Sequence, residues 1–460
     1  MTRQLRNLAL LSLGLFSLLI LWLTYLQAWN SEKLSCHPLN PRLSLIEERV
    51  KRGAIYDCKG NVLAQSSGRA GAYQRHYPLG EAAAPVIGYV STRYGTSGVE
   101  ACYSGELLGL KGFRSIRNQV YRLLGRPLEG DHLTLTLDAR LQEVGYSLLG
   151  GRRGAIVVLD PRTGAVLALV SSPSFDPNRL EEKWEELNQP QAQSPLLNRA
   201  LQGLYPPGST MKLVTATAVL QKDPGAAQRT YHCPGYLKIG GWKLTCPYAH
   251  GRVDFQEAMM YSCNVTFASL ALEVGGKAFV ETACSYGFNE NLPFDLPVKV
   301  SKIPASLEGG LLAQAAIGQG EVLASPFQMA LVTAAIANKG VIMRPYLVER
   351  VGSGGLVENS FIPRPWKAVC SAQVADTIKE AMVATARAGT ATGVNLPGVE
   401  VAAKTGTAQN PQGDPHAWMV AFAPADNPRV VVAVIVENAG SGGVVAAPIA
   451  RKMLELALGR

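Results

Sequence analysis

The chain has 460 residues, 47% of them hydrophobic and 17% charged, with a formal net charge of +9. That length exceeds one ordinary domain and allows a full-size core, so two or three folded units are expected. The basic excess suits anionic headgroups or an anionic polymer. No nucleic-acid motif accompanies it, so nucleic acid is excluded as a partner, and neither a metal nor a cofactor is expected.

Arg3 and Arg6 precede LALLSLGLFSLLILWLTYL, residues 8 to 26, and no charge returns until Glu32. Nineteen mostly apolar residues, at about 1.5 Å each, nearly match a hydrocarbon core of about 30 Å. Residues 1–30 therefore read as a cytoplasmic tip and an uncleaved transmembrane anchor. The two arginines keep the N-terminus in the cytoplasm, while Trp22, Tyr25 and Trp29 suit the far interface. A cleaved signal peptide is the competing reading, but the run is longer than a usual signal core and no A-x-A site follows it. All eight cysteines come after the anchor, where disulfides can form. Most are scattered and expected to be buried as small apolar residues. Cys233 and Cys246 bracket a short polar loop and are a candidate disulfide.

Residues 31–130 are polar, rich in Gly and Arg, and show no long periodic helix, which predicts a β-rich pedestal. Within it, RGAIYDCKGNVLAQS (52 to 66) reads as two short strands around Lys59-Gly60-Asn61. A second unit, 131–460, opens with strand-like LTLTL and a helix from Leu141. GAIVVLDPRTGAVLALVSS (154 to 172) is a hairpin turning at Asp160 to Gly164. VEVAAKTGTAQ, AWMVAFAP and RVVVAVIVEN supply three more strands, followed by a helix from about Pro448 to Leu458. Strands at both ends with helical sequence between them imply one sheet assembled from distant segments, an α/β architecture.

The chemistry centres on YPPGSTMKLVTATAVL, residues 205 to 220, where Lys212 interrupts an apolar run. A buried lysine is costly unless paired or neutral. Ser209 stands three residues earlier, one helical turn away on the same face. Desolvation lets Lys212 lose its proton near neutral pH and serve as the base for a Ser209 nucleophile. The helix N-terminus directs N–H groups at the developing negative charge. Alone, S-x-x-K is weak, because Ser is a common N-cap and a lysine often snorkels to solvent. Ser262-Cys263-Asn264 and Lys404-Thr405-Gly406-Thr407 follow in order and complete the S-x-x-K, S-x-N, K-T-G set of penicillin-binding proteins and class A β-lactamases.

With SGVEACYSGELLGLKG, NRALQGLYPPGSTMK, HGRVDFQEAMMYSCNVTF and GQGEVLASPFQMA, nearly the whole chain resembles the monofunctional, class B penicillin-binding proteins. Cys58 departs from that pattern, which usually has Arg there. The resemblance implies a penicillin-binding transpeptidase fold, an antiparallel sheet flanked by helices with the serine at the N-terminus of a core helix. It also implies a single-pass protein of the bacterial cytoplasmic membrane, with its catalytic domain outside the cytoplasm, that cross-links peptidoglycan stem peptides and is acylated by β-lactam antibiotics. Ser209 would be the nucleophile, Lys212 its base, and Ser262 the proton relay. Asn264 would hold the substrate amide and Lys212, and Lys404 would keep positive potential in the site. Thr405 and Thr407 would bind the terminal carboxylate on a strand edge kept open by Gly406, and the backbone N–H groups of Ser209 and Thr407 would form the oxyanion hole. A SEDS-type glycan polymerase is the implied partner, with the pedestal as the main contact. A D,D-carboxypeptidase is the alternative activity, with a β-lactam sensor or β-lactamase behind it. WEELN (184 to 188) mimics a deacylating loop but precedes Ser209, and His250 and His416 read as loop-orienting or structural residues.

Overall fold

The computed structural model describes residues 3–29, 49–353, 356–411 and 413–460. Cys36 and most of the segment joining anchor to pedestal lie outside the described residues. Helix Arg3–Trp29 has 27 residues, and its most apolar 18-residue stretch has a mean hydropathy of 2.1 and is not buried. It is long and apolar enough to cross a membrane.

Five strands form an antiparallel sheet in the order Val166–Ser172, Gly154–Leu159, Val430–Val436, Gly413–Ala423, Ala402–Asn410. The first two are the expected hairpin and the last three come from the far end of the chain. Alternate residues of one strand serve opposite faces: Val157 and Leu159 join one core, Ile156 and Val158 the other. Helices Ala139–Leu149 and Gly442–Ala457 cover the second face. Helix Pro326–Ala337, buried along its whole length, and helix Lys212–Lys222 belong to the first. Because both faces are covered, these strands read as continuous apolar runs rather than alternating ones.

The C-terminal helix begins at Gly442, six residues before the expected start, and runs through Pro448. Proline removes a donor four residues after Val444, which is exposed and can turn its carbonyl to water.

The pedestal carries the expected pair Ile55–Tyr56 and Val62–Ser67, in a six-stranded sheet completed by Gln74–His76, His132–Leu135, Val348–Ser353 and Leu356–Ser360. Residues 348–360 thus return from far along the chain to the sheet begun near residue 55. A buried carboxylate, Glu100, accepts from Arg52 Nε at 2.6 Å and Arg75 Nε at 2.7 Å. Burial pushes its carboxyl up, but the two guanidinium groups outweigh that and hold it below the usual range. One expectation fails in this region: Gly112–Leu123 is a twelve-residue helix. Ile116, Val120 and Leu123 do recur at helical spacing, but they point outward.

Candidate active site

Three segments converge on one cleft. In the first, Gly208 adopts a left-handed φ of 55° and its N–H donates to Gly318 O at 2.9 Å. A single 3₁₀ turn, Gly208–Met211, carries Ser209 and hands over to helix Lys212–Lys222. In a 3₁₀ turn residues i and i+3 eclipse, so Ser209 and Lys212 are stacked more directly than in the expected α-helical turn.

Lys212 is fully buried. Its Nζ donates to Ser262 O at 2.6 Å, Asn264 Oδ1 at 2.8 Å and Ser262 Oγ at 3.2 Å. The Lys212 backbone N–H donates to Ser209 O, but among the described residues no side-chain hydrogen bond joins Lys212 Nζ to Ser209 Oγ. Burial pushes the lysine down to about 7, against a smaller opposing effect of Cys263 and Cys246.

The second segment links helices Phe255–Met260 and Asn264–Val274. Asp254 and Glu257 form a reciprocal capping box that fixes the first helix. Ser262 then takes a left-handed φ of 58°, uncommon for a residue with a Cβ. The conformation places Ser262 Oγ between both lysines. Asn264 opens the next helix and donates through Nδ2 to Thr245 O at 3.0 Å.

The third segment is edge strand Ala402–Asn410. Lys404, also fully buried, donates to Ser262 Oγ at 2.9 Å and to Thr405 O at 3.1 Å. Burial, and then the charge of Lys212, hold it well below the usual lysine range. Since both Nζ atoms reach Ser262 Oγ, they stand no more than about 6 Å apart, where two full charges at an effective dielectric of 20 repel by about 3 kcal/mol. The charge on Lys212 therefore disfavours a second charge on Lys404.

Ser209, Ser262, Asn264, Thr405 and Thr407 line a cleft of about 700 Å³, with the lysines beneath its floor. Gly406 is small for a reason the sequence did not suggest. A Cβ there would lie 2.8 Å from Trp418 Cβ and 3.1 Å from both Pro207 O and Thr210 Cγ2, so it meets the nucleophile's own turn rather than the open edge. Thr390, Ser441 and Tyr248 also line the cleft. No sequence signal marked them: Thr390, whose Oγ1 lies 2.7 Å from Thr405 Oγ1, comes from a loop far from any motif. The WEELN helix, Leu180–Leu187, lies away from the cleft, with Trp184 stacked on Tyr94. His416 is buried and its Nδ1 accepts from Asn438 N, as a structural residue would.

The expected Cys233–Cys246 disulfide is absent: the thiols are free, with sulfurs 3.7 Å apart. The physical reason is a third cysteine. Cys246 Sγ lies 3.8 Å from Cys263 Sγ and accepts from the N–H groups of Asn264 and Val265, which draws it toward the S-x-N loop. His250 Nδ1 approaches Cys233 Sγ at 3.4 Å, and all four ligand atoms lie within 4.8 Å of one another. With Zn–S near 2.3 Å, a tetrahedral zinc site has sulfur–sulfur edges of about 3.8 Å, so these are the residues that could hold such a metal. The spacing C-x₁₂-C-x₃-H-x₁₂-C was the signal available in the sequence. The hydrogen bond between the Cys246 and Cys263 thiols lowers the Cys263 thiol and raises that of Cys246. Cys58 and Cys102, expected inside, are exposed.

The pattern of the penicillin binding protein transpeptidase domain matches residues 154–455, and that of the penicillin binding protein A dimerisation domain matches 52–133. The peptidoglycan D,D-transpeptidase PbpA of Mycolicibacterium smegmatis is 35% identical, over 100% of this chain and 99% of its own. The peptidoglycan D,D-transpeptidase MrdA of Escherichia coli is 31% identical over 81% of this chain and 69% of its own. Among solved structures, the penicillin G acyl-enzyme complex of penicillin-binding protein A from M. tuberculosis superposes with a TM-score of 0.82. It is 34% identical and covers 89% of this chain and 99% of that one.

Proposed function

The chain belongs to the penicillin-binding protein transpeptidases, and from that premise we propose how its cleft cross-links peptidoglycan as a membrane-anchored serine D,D-transpeptidase. Ser209 Oγ attacks the penultimate D-Ala carbonyl of a stem peptide while Lys212, neutral near pH 7, accepts the hydroxyl proton. Ser262 Oγ, in contact with both lysines, relays that proton to the departing D-Ala amine. The N–H groups of Ser209 and Thr407 stabilise the oxyanion, and Asn264 holds the substrate amide and Lys212. Lys404 supplies positive potential, and the Thr405 and Thr407 hydroxyl groups bind the terminal carboxylate. An acceptor amine then attacks the Ser209 ester and regenerates the enzyme. A β-lactam follows the first half of this path, and its ring-opened product stays attached.

The observation that carries this reading is the pair of buried lysines sharing Ser262 Oγ under a cleft that exposes Ser209. Benzylpenicillin should leave one adduct on Ser209, seen by peptide mass spectrometry and absent from Ser209→Ala. An adduct elsewhere would overturn the assignment. Products formed from a stem peptide with an added acceptor amine separate transpeptidation from carboxypeptidation, since the latter releases D-Ala without a cross-link.

We also propose that the chain is single-pass, with this cleft on the extracytoplasmic side of the membrane, and that its pedestal contacts a SEDS-type polymerase supplying the glycan strands. Co-purification of that polymerase from membranes, undiminished by charge reversals across the pedestal surface, would count against the contact.

A further inference from the structure

Helix Gly112–Leu123 is amphipathic in the reverse sense for a globular protein. Two of its polar residues face the body: Arg114 and Asn118 are buried, Arg114 Nε meeting Asp131 Oδ1 at 3.0 Å and Asn118 Nδ2 donating to Glu129 O at 2.9 Å. An apolar stripe at its C-terminal end faces outward. Ile116, Val120, Leu123 and Leu124 are 61%, 48%, 88% and 61% exposed, at spacings i, i+4, i+7 and i+8. A surface helix ordinarily buries that stripe and exposes the polar one, and a contiguous apolar patch rimmed by polar residues marks an interaction site.

The surrounding charge points to the occupant. Residues 107–128 contain no acidic residue; Lys111 and Arg114 pair with Glu106 and Asp131, which leaves Arg117, Arg122 and Arg126 as the basic groups around the stripe. At about 100° per residue, Arg117 falls beside Leu124 at one edge of the apolar stripe, while Arg122 falls about 100° beyond Leu123 on the other side. Low overall hydrophobicity, a strong apolar face and flanking arginines are the signature of a helix lying in the plane of a membrane interface. The topology puts it in the right place. The first strand of the body after the anchor, Val50–Lys51, pairs with Leu128–Glu129, just past the helix, so the chain arriving from the anchor enters the body beside it.

We propose that this helix docks on the anionic outer surface of the membrane that holds the anchor. Ile116, Val120, Leu123 and Leu124 sit among the acyl chains, and Arg117, Arg122 and Arg126 lie at the depth of the lipid phosphates. The inference rests on the reading of residues 3–29 as an anchor. The docked helix would give the pedestal a second membrane contact and limit its tilt, and hence the height of the cleft above the bilayer.

The test uses the full-length protein in vesicles of phosphatidylethanolamine and phosphatidylglycerol, with photoreactive p-benzoylphenylalanine at Leu123 or, separately, at Leu18 in the anchor. The expected result is a lipid adduct from both positions. Arg122→Ala should weaken docking about fivefold, the equivalent of about 1 kcal/mol per basic residue near an anionic surface. A lipid adduct at Leu18 with none at Leu123 would overturn the proposal. So would an adduct from Leu123 to a second copy of the chain or, in cells, to another membrane protein. Equal yield in vesicles of phosphatidylcholine alone would overturn the assignment to an anionic surface. Failure of Leu18 to label lipid would instead overturn the anchor reading beneath it.

Discussion

The strongest quantitative expectation concerns the proton on Lys212. Burial takes this lysine from an ordinary value of 10.5 to about 7. At pH 7 about half of the amine is then neutral, compared with about one part in 3,000 for an unperturbed lysine, a gain of roughly a thousandfold in available base. In free energy the shift corresponds to about 5 kcal/mol. If the neutral amine accepts the Ser209 proton, the acylation rate constant for a fluorescent penicillin should rise about tenfold per pH unit below 7 and level off above it. Lys212→Arg keeps a charged, non-basic group in the same place. It should lower acylation by roughly 10²–10⁴ on the plateau above pH 7, and by less toward pH 5.5, where the wild-type amine is itself protonated, with a thermal melt confirming that the variant is folded. A flat wild-type profile between pH 5.5 and 9, or an arginine variant within about tenfold of wild type on the plateau, would refute the reasoning, because both would mean that the base is another group.

Gly406→Ala drives a methyl group into Trp418 and the Pro207–Thr210 turn. It should cost about 1–3 kcal/mol in chemical denaturation and slow acylation at the same time, and an unchanged rate would show that the turn absorbs the methyl group. Glu100→Ala leaves Arg52 and Arg75 buried without their carboxylate. A loss of about 3–5 kcal/mol is expected, read as a lowered melting temperature, with benzylpenicillin still modifying Ser209 in whatever protein remains folded. Adding Zn²⁺ to the reduced protein should protect Cys233, Cys246 and Cys263 from iodoacetamide, and a chelator should restore their reactivity. Equal alkylation with and without zinc would count against metal binding by the four donors gathered in the structure.

Local chemistry made much of the molecule legible without coordinates. A helix long and apolar enough to cross a membrane could be read from an uninterrupted apolar run, and the hairpin at 154–172 from two apolar strands around Asp-Pro-Arg-Thr-Gly. The residues that converge on the cleft could be read because they lie in short motifs with fixed internal spacing: Ser209 with Lys212, Ser262 with Asn264, and Lys404 through Thr407. Even the depressed Lys212 was implied by a lone amine in an apolar helix, since desolvation depends mainly on the immediate surroundings.

Tertiary structure decided whatever depended on which distant segments meet. The sharing of Ser262 Oγ by two lysines 192 residues apart could not be read from either motif, nor could the approach of Thr390 to Thr405. The cysteines show the same limit. Cys233 and Cys246 are near in sequence and suggested a bond, yet Cys263 and His250 bring the donors into a four-membered cluster instead. Helix Gly112–Leu123 shows it most plainly. Its 3.6-residue periodicity is present in the sequence, but periodicity says only that a helix has two faces. The bonds of Arg114 to Asp131 and of Asn118 to Glu129 O, both made by the fold, turned the polar face inward and left the apolar one for a partner outside the chain.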